Sequence, residues 1–365
     1  MRVYPGADEA DNAQMTQKRI VIVGGAGFLG SRAVASLRGN AGCDVVVAGR
    51  RGPLVVDLHR PDTFSALEGA DVVVNASSSH AADPSALASF CLARGLVLLE
   101  ASSDRVVVEG LLARRGGAAA GTLVLGAGIY TGLSNLVVAA AAAACPEVQR
   151  VEIGIRSSPF SGAGQGTVDL MIDAMAVPAR VVSGGAAVTT PSALPGPVLP
   201  FPRGVRRTLT FSFPEVAMLH ASTGAADVVL GFAPAPALLW PSFRYLPTWL
   251  MTSMLFRRLM GAYFFVLRQL VLRRVSTRVE LVGRATGPKG QRLCSLVADD
   301  GMAAGGTAIA AMALALAQRR PAPGTFTVDE VLTLEDTIAA MRSLSPQLAL
   351  QVTGPSSGDD RARHG

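Results

Sequence analysis

Residues 19–31, Arg-Ile-Val-Ile-Val-Gly-Gly-Ala-Gly-Phe-Leu-Gly-Ser, carry an apolar run into a glycine-dense turn that opens a helical stretch. This spacing suits the binding of a phosphate. Gly25 permits a sharp turn, Gly27 has no Cβ to obstruct a pyrophosphate, and Gly30 lets the following helix pack closely on the strand. The helix N-terminus adds free N–H groups and partial positive charge. A helical stretch from Ser31 to Leu37 and a second apolar strand from Asp44 to Ala48 complete βαβ spacing, so the segment predicts a dinucleotide site. Its expected contacts are Gly25, Gly27, Phe28, Leu29 and Gly30.

The end of the second strand selects the dinucleotide. An NAD domain usually carries Asp or Glu there for the ribose 2′-hydroxyl, whereas this chain has Gly49-Arg50-Arg51. Two guanidinium groups suit a 2′-phosphate, which predicts NADP(H) over NAD(H).

In a parallel sheet the ligand lies at the carboxyl ends of the strands. Those ends place Asp57, Asn75, Ala76 and Ser77 beside the cofactor, with His80, Glu100 to Asp104 and Gly126 to Asn135 in the neighbouring loops. Hydride transfer needs one group to deliver or remove a proton, and His80, Tyr130 and His220 are the candidates. Each has a structural alternative: a polar residue at a helix start, a stacking ring and a satisfied histidine, respectively. Asp104, Ser134 and Asn135 are candidates for substrate contact, in competition with helix capping.

Short apolar runs alternating with helical patterns over residues 19–146 predict a doubly wound Rossmann sheet. From 147 to 300 strands no longer alternate with helices, which predicts an inserted mixed α/β domain for substrate binding and dimerisation. Pro191 to Pro202 reads as an extended loop, and Thr286-Gly287-Pro288-Lys289-Gly290 as a hairpin turn. Residues 301–345 predict helices that return to the first domain. Residues 1–18 and 346–365 read as a disordered extension and tail.

At 365 residues the chain has room for two domains and a sizeable core, and half of it is apolar against 16% charged. The net charge of +6 is almost all arginine, with lysine only at positions 18 and 289. No dense basic and aromatic nucleic-acid motif accompanies it, so nucleic acid is not an expected partner. The longest apolar segments are interrupted by arginine, which favours a soluble or peripheral protein over a spanning one. Cys43, Cys91, Cys145 and Cys294 fit no metal or C-x-x-C spacing and read as reduced core residues of a cytoplasmic protein.

Leu246 to Arg274 combines Trp249, Met251, Met254, Phe256, Tyr263, Phe264 and Phe265 with five arginines at 257, 258, 268, 273 and 274. On a helix, Arg257, Arg258, Arg268 and Gln269 share a sector of about 120° and leave a wide apolar surface. Three readings stay open: a buried or homodimer-interface helix, an apolar substrate pocket, and a basic amphipathic contact with a membrane.

Taken together, the segments resemble the saccharopine dehydrogenase and saccharopine reductase-like family over about residues 19 to 340. The resemblance is carried by Gly25 to Gly30, Gly49-Arg50, Asp57 and Gly128-Ile129-Tyr130-Thr131-Gly132-Leu133-Ser134-Asn135-Leu136. Ser161 to Thr167 and Gly305-Gly306-Thr307-Ala308 add to it. The resemblance implies an NADP-binding domain with an inserted domain that closes over the substrate and often mediates dimerisation, and it does not fix that substrate; the expectation is a small or apolar, acyl-like one, with reduction of a C=N or activated C=C bond. No residues match those that hold a glutamate moiety in true saccharopine enzymes. The glycine motif also fits extended short-chain dehydrogenases, but these need a Tyr followed four residues later by Lys. Here Asp8, Ser134, Trp249 and Leu267 follow Tyr4, Tyr130, Tyr245 and Tyr263, so the dyad does not exist. The expectation is an NADPH-dependent oxidoreductase, and the alternative is a cofactor-binding sensor or scaffold without hydride transfer.

Overall fold

The computed structural model describes residues 17–78, 82–158, 174–235 and 277–357, with isolated positions between 236 and 276. His80, the Ser161 to Thr167 motif and nearly all of Leu246 to Arg274 lie outside the described residues.

The first domain alternates as its sequence pattern requires. Its elements are β1 (Lys18–Val23), α1 (Gly30–Leu37), β2 (Cys43–Gly49), β3 (Leu54–Val55), β4 (Val72–Asn75), α2 (Ser85–Ala93), β5 (Val97–Glu100), α3 (Arg105–Leu112), β6 (Thr122–Leu125) and α4 (Ser134–Ala143). A 3₁₀ turn at Pro61–Leu67 precedes β4. The second domain follows with β7 (Arg150–Ser157), β8 (Ala179–Ser183), β9 (Ala186–Thr190), β10 (Pro195–Phe201), β11 (Gly204–Leu209), α5 (Glu215–Thr223), β12 (Asp227–Pro234), β13 (Val279–Gly287) and β14 (Gly290–Ala298). The chain then returns through α6 (Gly301–Gln318), β15 (Gly324–Thr327), α7 (Val328–Val331) and α8 (Leu334–Leu344), and ends on β16 (Leu350–Ser357).

Seven parallel strands in the order β15-β6-β5-β4-β1-β2-β3 form the first sheet. The reversal between β1 and β4 opens the crevice where a doubly wound sheet takes its ligand. Strands β4, β5 and β6 are buried on both faces, as helix-covered parallel strands must be. The second sheet is mixed, in the order β10-β11-β12-β7-β13-β14-β16, with the β8–β9 hairpin joined to β12. One continuous apolar core links Ile20, Val72 and Val124 of the first sheet to Ile153, Leu230 and Leu281 of the second. Helix α4 lies against β13 and β14, while α6 lies against α1 and α8. At α6 the fit is close: a Cβ on Gly306 would stand 2.3 Å from the Arg32 Cβ of α1. Helix α6 is long and apolar enough to cross a bilayer, but most of it is buried in this core.

Four expectations are corrected. The tail predicted for 346–365 contains β16, whose Leu350 and Val352 pack on the core while Val352 pairs with Leu296. Its Ser, Gly and Pro residues fall on an exposed sheet edge, where a ladder needs one partner and few apolar side chains. Lys18, assigned to the extension, begins β1 opposite Cys43. Pro191 to Pro202 is not a loop throughout, because β10 pairs with β11 as an edge strand and an irregularity between Pro195 and Val198 absorbs its prolines. The returning 301–345 segment holds a strand as well as helices, since β15 extends the first sheet beside β6. The expected hairpin at 286–290 is present, with Gly287 opposite Gly290, and all four cysteines are buried and in no disulfide among the described residues.

Candidate functional site

The turn after β1 is built from glycines with different tasks. Gly24, at φ +76°, makes the left-handed turn, and a Cβ there would stand 2.8 Å from the Ser77 backbone nitrogen. The turn therefore rests on Gly24, not on Gly25 as expected. A Cβ on Gly30 would stand 2.3 Å from the Gly24 carbonyl oxygen, so Gly30 serves close packing of helix on turn. At Gly27 the added atom would meet only the Gly24 carbonyl, at 3.0 Å, and otherwise point into open space. Among the described residues no acceptor takes the N–H groups of Ala26, Phe28, Leu29 or Gly30. Four donors without an acceptor thus lie at or just before a helix start, with open space at Gly27, a setting that suits an oxyanion. The Arg32 guanidinium lies 4.0 Å over the Phe28 ring and donates to the Phe28 carbonyl at 2.6 Å, steadying the turn.

A cavity of about 490 Å³ is lined by Gly24, Ala26, Ala48, Gly49, Arg50 and Arg51. It joins the phosphate turn to the arginine pair at the end of β2. Both arginines are exposed, and no ion pair among the described residues engages either. Asp57 is placed differently from expectation: its carboxylate accepts the His59 N–H at 3.1 Å and closes its own turn, outside the cavity lining.

At the ends of β4 and β5 the side chains form a buried relay. Asn75 donates from Nδ2 to Glu100 Oε2 at 2.8 Å, and its Oδ1 accepts from the Ser77 N–H at 3.2 Å and the Ser77 hydroxyl at 2.6 Å. Ser77 is the residue against which Gly24 lies, so Asn75 holds the loop Ala76-Ser77 on the phosphate turn. The Ser102 N–H donates to Glu100 Oε1 at 2.9 Å. Burial pushes the Glu100 carboxyl up to about 7, against the lowering effect of the Asn75 and Ser102 hydrogen bonds, and Asp83 adds to the rise. A carboxyl raised from 4.5 stabilises the fold relatively more when protonated. Stability should therefore fall as pH rises from about 4.5 to about 7, by up to about 3 kcal/mol. Chemical denaturation at a series of pH values checks this, with Glu100→Gln expected to flatten the profile across that window.

The turn Gly126–Leu133, which leaves β6 for α4, is strained where it passes between the domains. Thr131 holds φ +59°, rare for a β-branched residue, and its N–H donates to Glu215 Oε1 at 3.0 Å. Glu215 is fully buried at the start of α5 and also accepts from the Ser134 hydroxyl at 3.2 Å, while burial raises its carboxyl above the usual range. Next to it, Tyr130 shares a hydrogen bond with the Ser157 hydroxyl at the end of β7, 3.0 Å away. Burial raises the Tyr130 phenol, so it stays protonated through neutral pH.

Several predicted site residues have structural partners instead. Asp104 caps α3, accepting the Val106 and Val107 N–H groups at 2.8 and 3.1 Å, so its carboxylate is occupied in capping and not directed at substrate. Ser134 and Asn135 are completely buried inside α4, with partners Glu215 and Asp329. His220 shares Nδ1 with the Ala225 carbonyl at 3.0 Å, closing the C-terminal turn of its own helix, which is the structural alternative for this residue. The described residues hold no cluster suited to a metal ion.

Two residues of this region received no role from the sequence. Glu100 had a signal, since a carboxylate ending a strand that is otherwise apolar stands at the ligand edge of the sheet. Glu215 had none, because an acid after Pro214 looks like any first-turn residue of a helix.

No family model and no curated protein matches this chain. Among solved structures it is similar to an engineered D-amino acid dehydrogenase bound to NADP⁺, at 16% identity over 96% of this chain and 99% of that one, with a TM-score of 0.44. It is also similar to a myo-inositol dehydrogenase from Corynebacterium glutamicum, at 15% identity over 93% and 100% of the two chains, TM-score 0.40. A dipicolinate-bound dihydrodipicolinate reductase from Paenisporosarcina follows at 11% identity over 87% and 100%, TM-score 0.37. Likeness at this level carries no argument about reaction or substrate, and the two-domain Rossmann architecture stands on the strand order of this chain itself.

Proposed function

We propose that the protein is an NADPH-dependent oxidoreductase of the saccharopine dehydrogenase-like kind, acting on a C=N or activated C=C bond. The observation that carries this reading is the single cavity wall shared by the glycine turn and the arginine pair. The N–H groups of Ala26, Phe28, Leu29 and Gly30 would hold the pyrophosphate, and Arg50 and Arg51 the 2′-phosphate. The nicotinamide, when bound, supplies the hydride. Around it, the Asn75–Glu100 relay keeps the Ala76-Ser77 loop in place, and the Tyr130 hydroxyl, protonated at neutral pH, is the proton donor of this reading. Reduction of an imine would then add hydride to carbon and the Tyr130 proton to nitrogen. The resemblance at Gly128 to Leu136 supports the family assignment, and the apolar composition of 246–274 supports an apolar, acyl-like substrate.

One observation favours the second reading, a cofactor sensor without turnover. Tyr130 is already bonded to Ser157, and Asp104 and His220 are both engaged elsewhere. Deuteride transfer separates the two. Protein incubated with 4-deuterated NADPH and a panel of imines and α,β-unsaturated acyl compounds, including any that co-purify, is expected to yield labelled product. Tyr130→Phe should slow this by on the order of a hundredfold or more. Tight NADPH binding with no label transferred to any member of the panel would replace the enzyme reading with the sensor.

A further inference from the structure

A carboxyl from the second domain holds the turn that carries Tyr130. Tyr130 itself is extended, at φ −84° and ψ 149°, and Thr131 reverses the chain directly behind it at φ +59°. A β-branched residue leaves that conformation unless its surroundings hold it there. Glu215 supplies the hold: its Oε1 accepts the Thr131 N–H at 3.0 Å and the Ser134 hydroxyl at 3.2 Å, on either side of the reversal. The turn is pressed against itself and against the same helix. A Cβ on Gly126 would stand 2.2 Å from the Thr131 carbonyl oxygen and 2.9 Å from Cε of Met218, one turn after Glu215 in α5. Helix α5 is in turn tied to the first domain, where Arg115 donates to the Ala221 carbonyl at 2.9 Å.

Glu215 is fully buried, and its Oε2 has no hydrogen-bond partner among the described residues. Such an atom costs stability, and departures of this kind concentrate where function requires them. What the carboxyl fixes lies one residue from the Tyr130 ring, whose hydroxyl is 3.0 Å from the Ser157 hydroxyl. Building on Tyr130 as the proton donor, we infer that Glu215 is a positioning residue, which holds the Thr131 reversal so that the Tyr130 hydroxyl is presented for proton transfer. It exchanges no proton itself and has no need of its charge. Both contacts use one oxygen as acceptor, and the neutral carboxyl that burial favours offers this as well as a carboxylate does.

Two substitutions separate position from charge. Glu215→Gln keeps the length and an accepting oxygen but no charge, whereas Glu215→Asp keeps the charge and withdraws the oxygen by one methylene. In deuteride transfer from 4-deuterated NADPH to the imine and unsaturated acyl panel, Glu215→Gln should stay within about threefold of wild type. Glu215→Asp should lower kcat on the order of a hundredfold, with KM and NADPH affinity changed by less than about twofold. Fluorine NMR of protein labelled with 3-fluorotyrosine reads the placement without turnover, the Tyr130 signal being the one absent from Tyr130→Phe. That signal should stay in place in Glu215→Gln and move toward its position in the denatured protein in Glu215→Asp. An impaired Glu215→Gln beside an active Glu215→Asp would give the role to the charge and overturn the inference. So would a Tyr130 signal that both variants leave in place, or a Glu215→Asp protein that loses melting temperature and NADPH affinity together with kcat, which would make Glu215 structural only. A wild-type protein that transfers no label defeats the donor reading by itself. The fluorine spectra then decide the placement alone: displacement in Glu215→Asp but not in Glu215→Gln sustains it, and any other pattern overturns it.

Discussion

Gly27→Val is expected to fold and to lose nucleotide binding altogether. The added side chain would meet little protein, only the Gly24 carbonyl at 3.0 Å, and would extend into the space in front of the unpaired N–H groups of Phe28 and Leu29. That space is where the pyrophosphate must approach. Neighbouring glycines behave differently: a Cβ on Gly24 or Gly30 strikes backbone within 2.8 or 2.3 Å, so substitution there should unfold the turn itself. The melting temperature of Gly27→Val without ligand should stay near wild type, and the stabilisation on adding NADPH should vanish. Persistence of that stabilisation would place the phosphates elsewhere.

The second large effect belongs to Arg50. Arg50→Ala should weaken NADPH binding about ten- to a hundredfold, the equivalent of one charge-assisted bond of about 1.5–3 kcal/mol, while NADH binding changes little. Arg51→Ala should act in the same direction, because both residues line the cavity and neither forms an ion pair among the described residues. Calorimetric titration of each variant with both nucleotides checks this. An equal loss for NADPH and NADH would turn the arginines into general electrostatic support.

The first domain was legible because parallel strands covered on both faces write themselves as short apolar runs, and because glycine at a phosphate turn has few substitutes. Asp104 shows how local logic carries over: Ser102-Ser103-Asp104 before an apolar helical pattern reads as a cap, and the cap is present. The weak points are tertiary. Ser134 and Asn135 sit at the start of a helix, where capping or ligand contact is the natural reading, yet α4 is buried against the second sheet and both residues face interior carboxyl groups. Strands β10 and β16 carry proline, glycine and serine, and only their neighbours β11 and β14 make them strands. Thr131 at positive φ depends on Glu215, some eighty residues away, a pairing invisible to any local pattern.

The central claim is that one cavity reads a phosphate on the ribose as well as the pyrophosphate. Titration of the wild-type protein with 2′,5′-ADP and with 5′-ADP tests it directly, since the two ligands differ only in the group assigned to Arg50 and Arg51. The account predicts that 2′,5′-ADP binds at least about tenfold more tightly, with the advantage shrinking as salt is raised. Equal affinity for the two, or a preference for 5′-ADP, would contradict it.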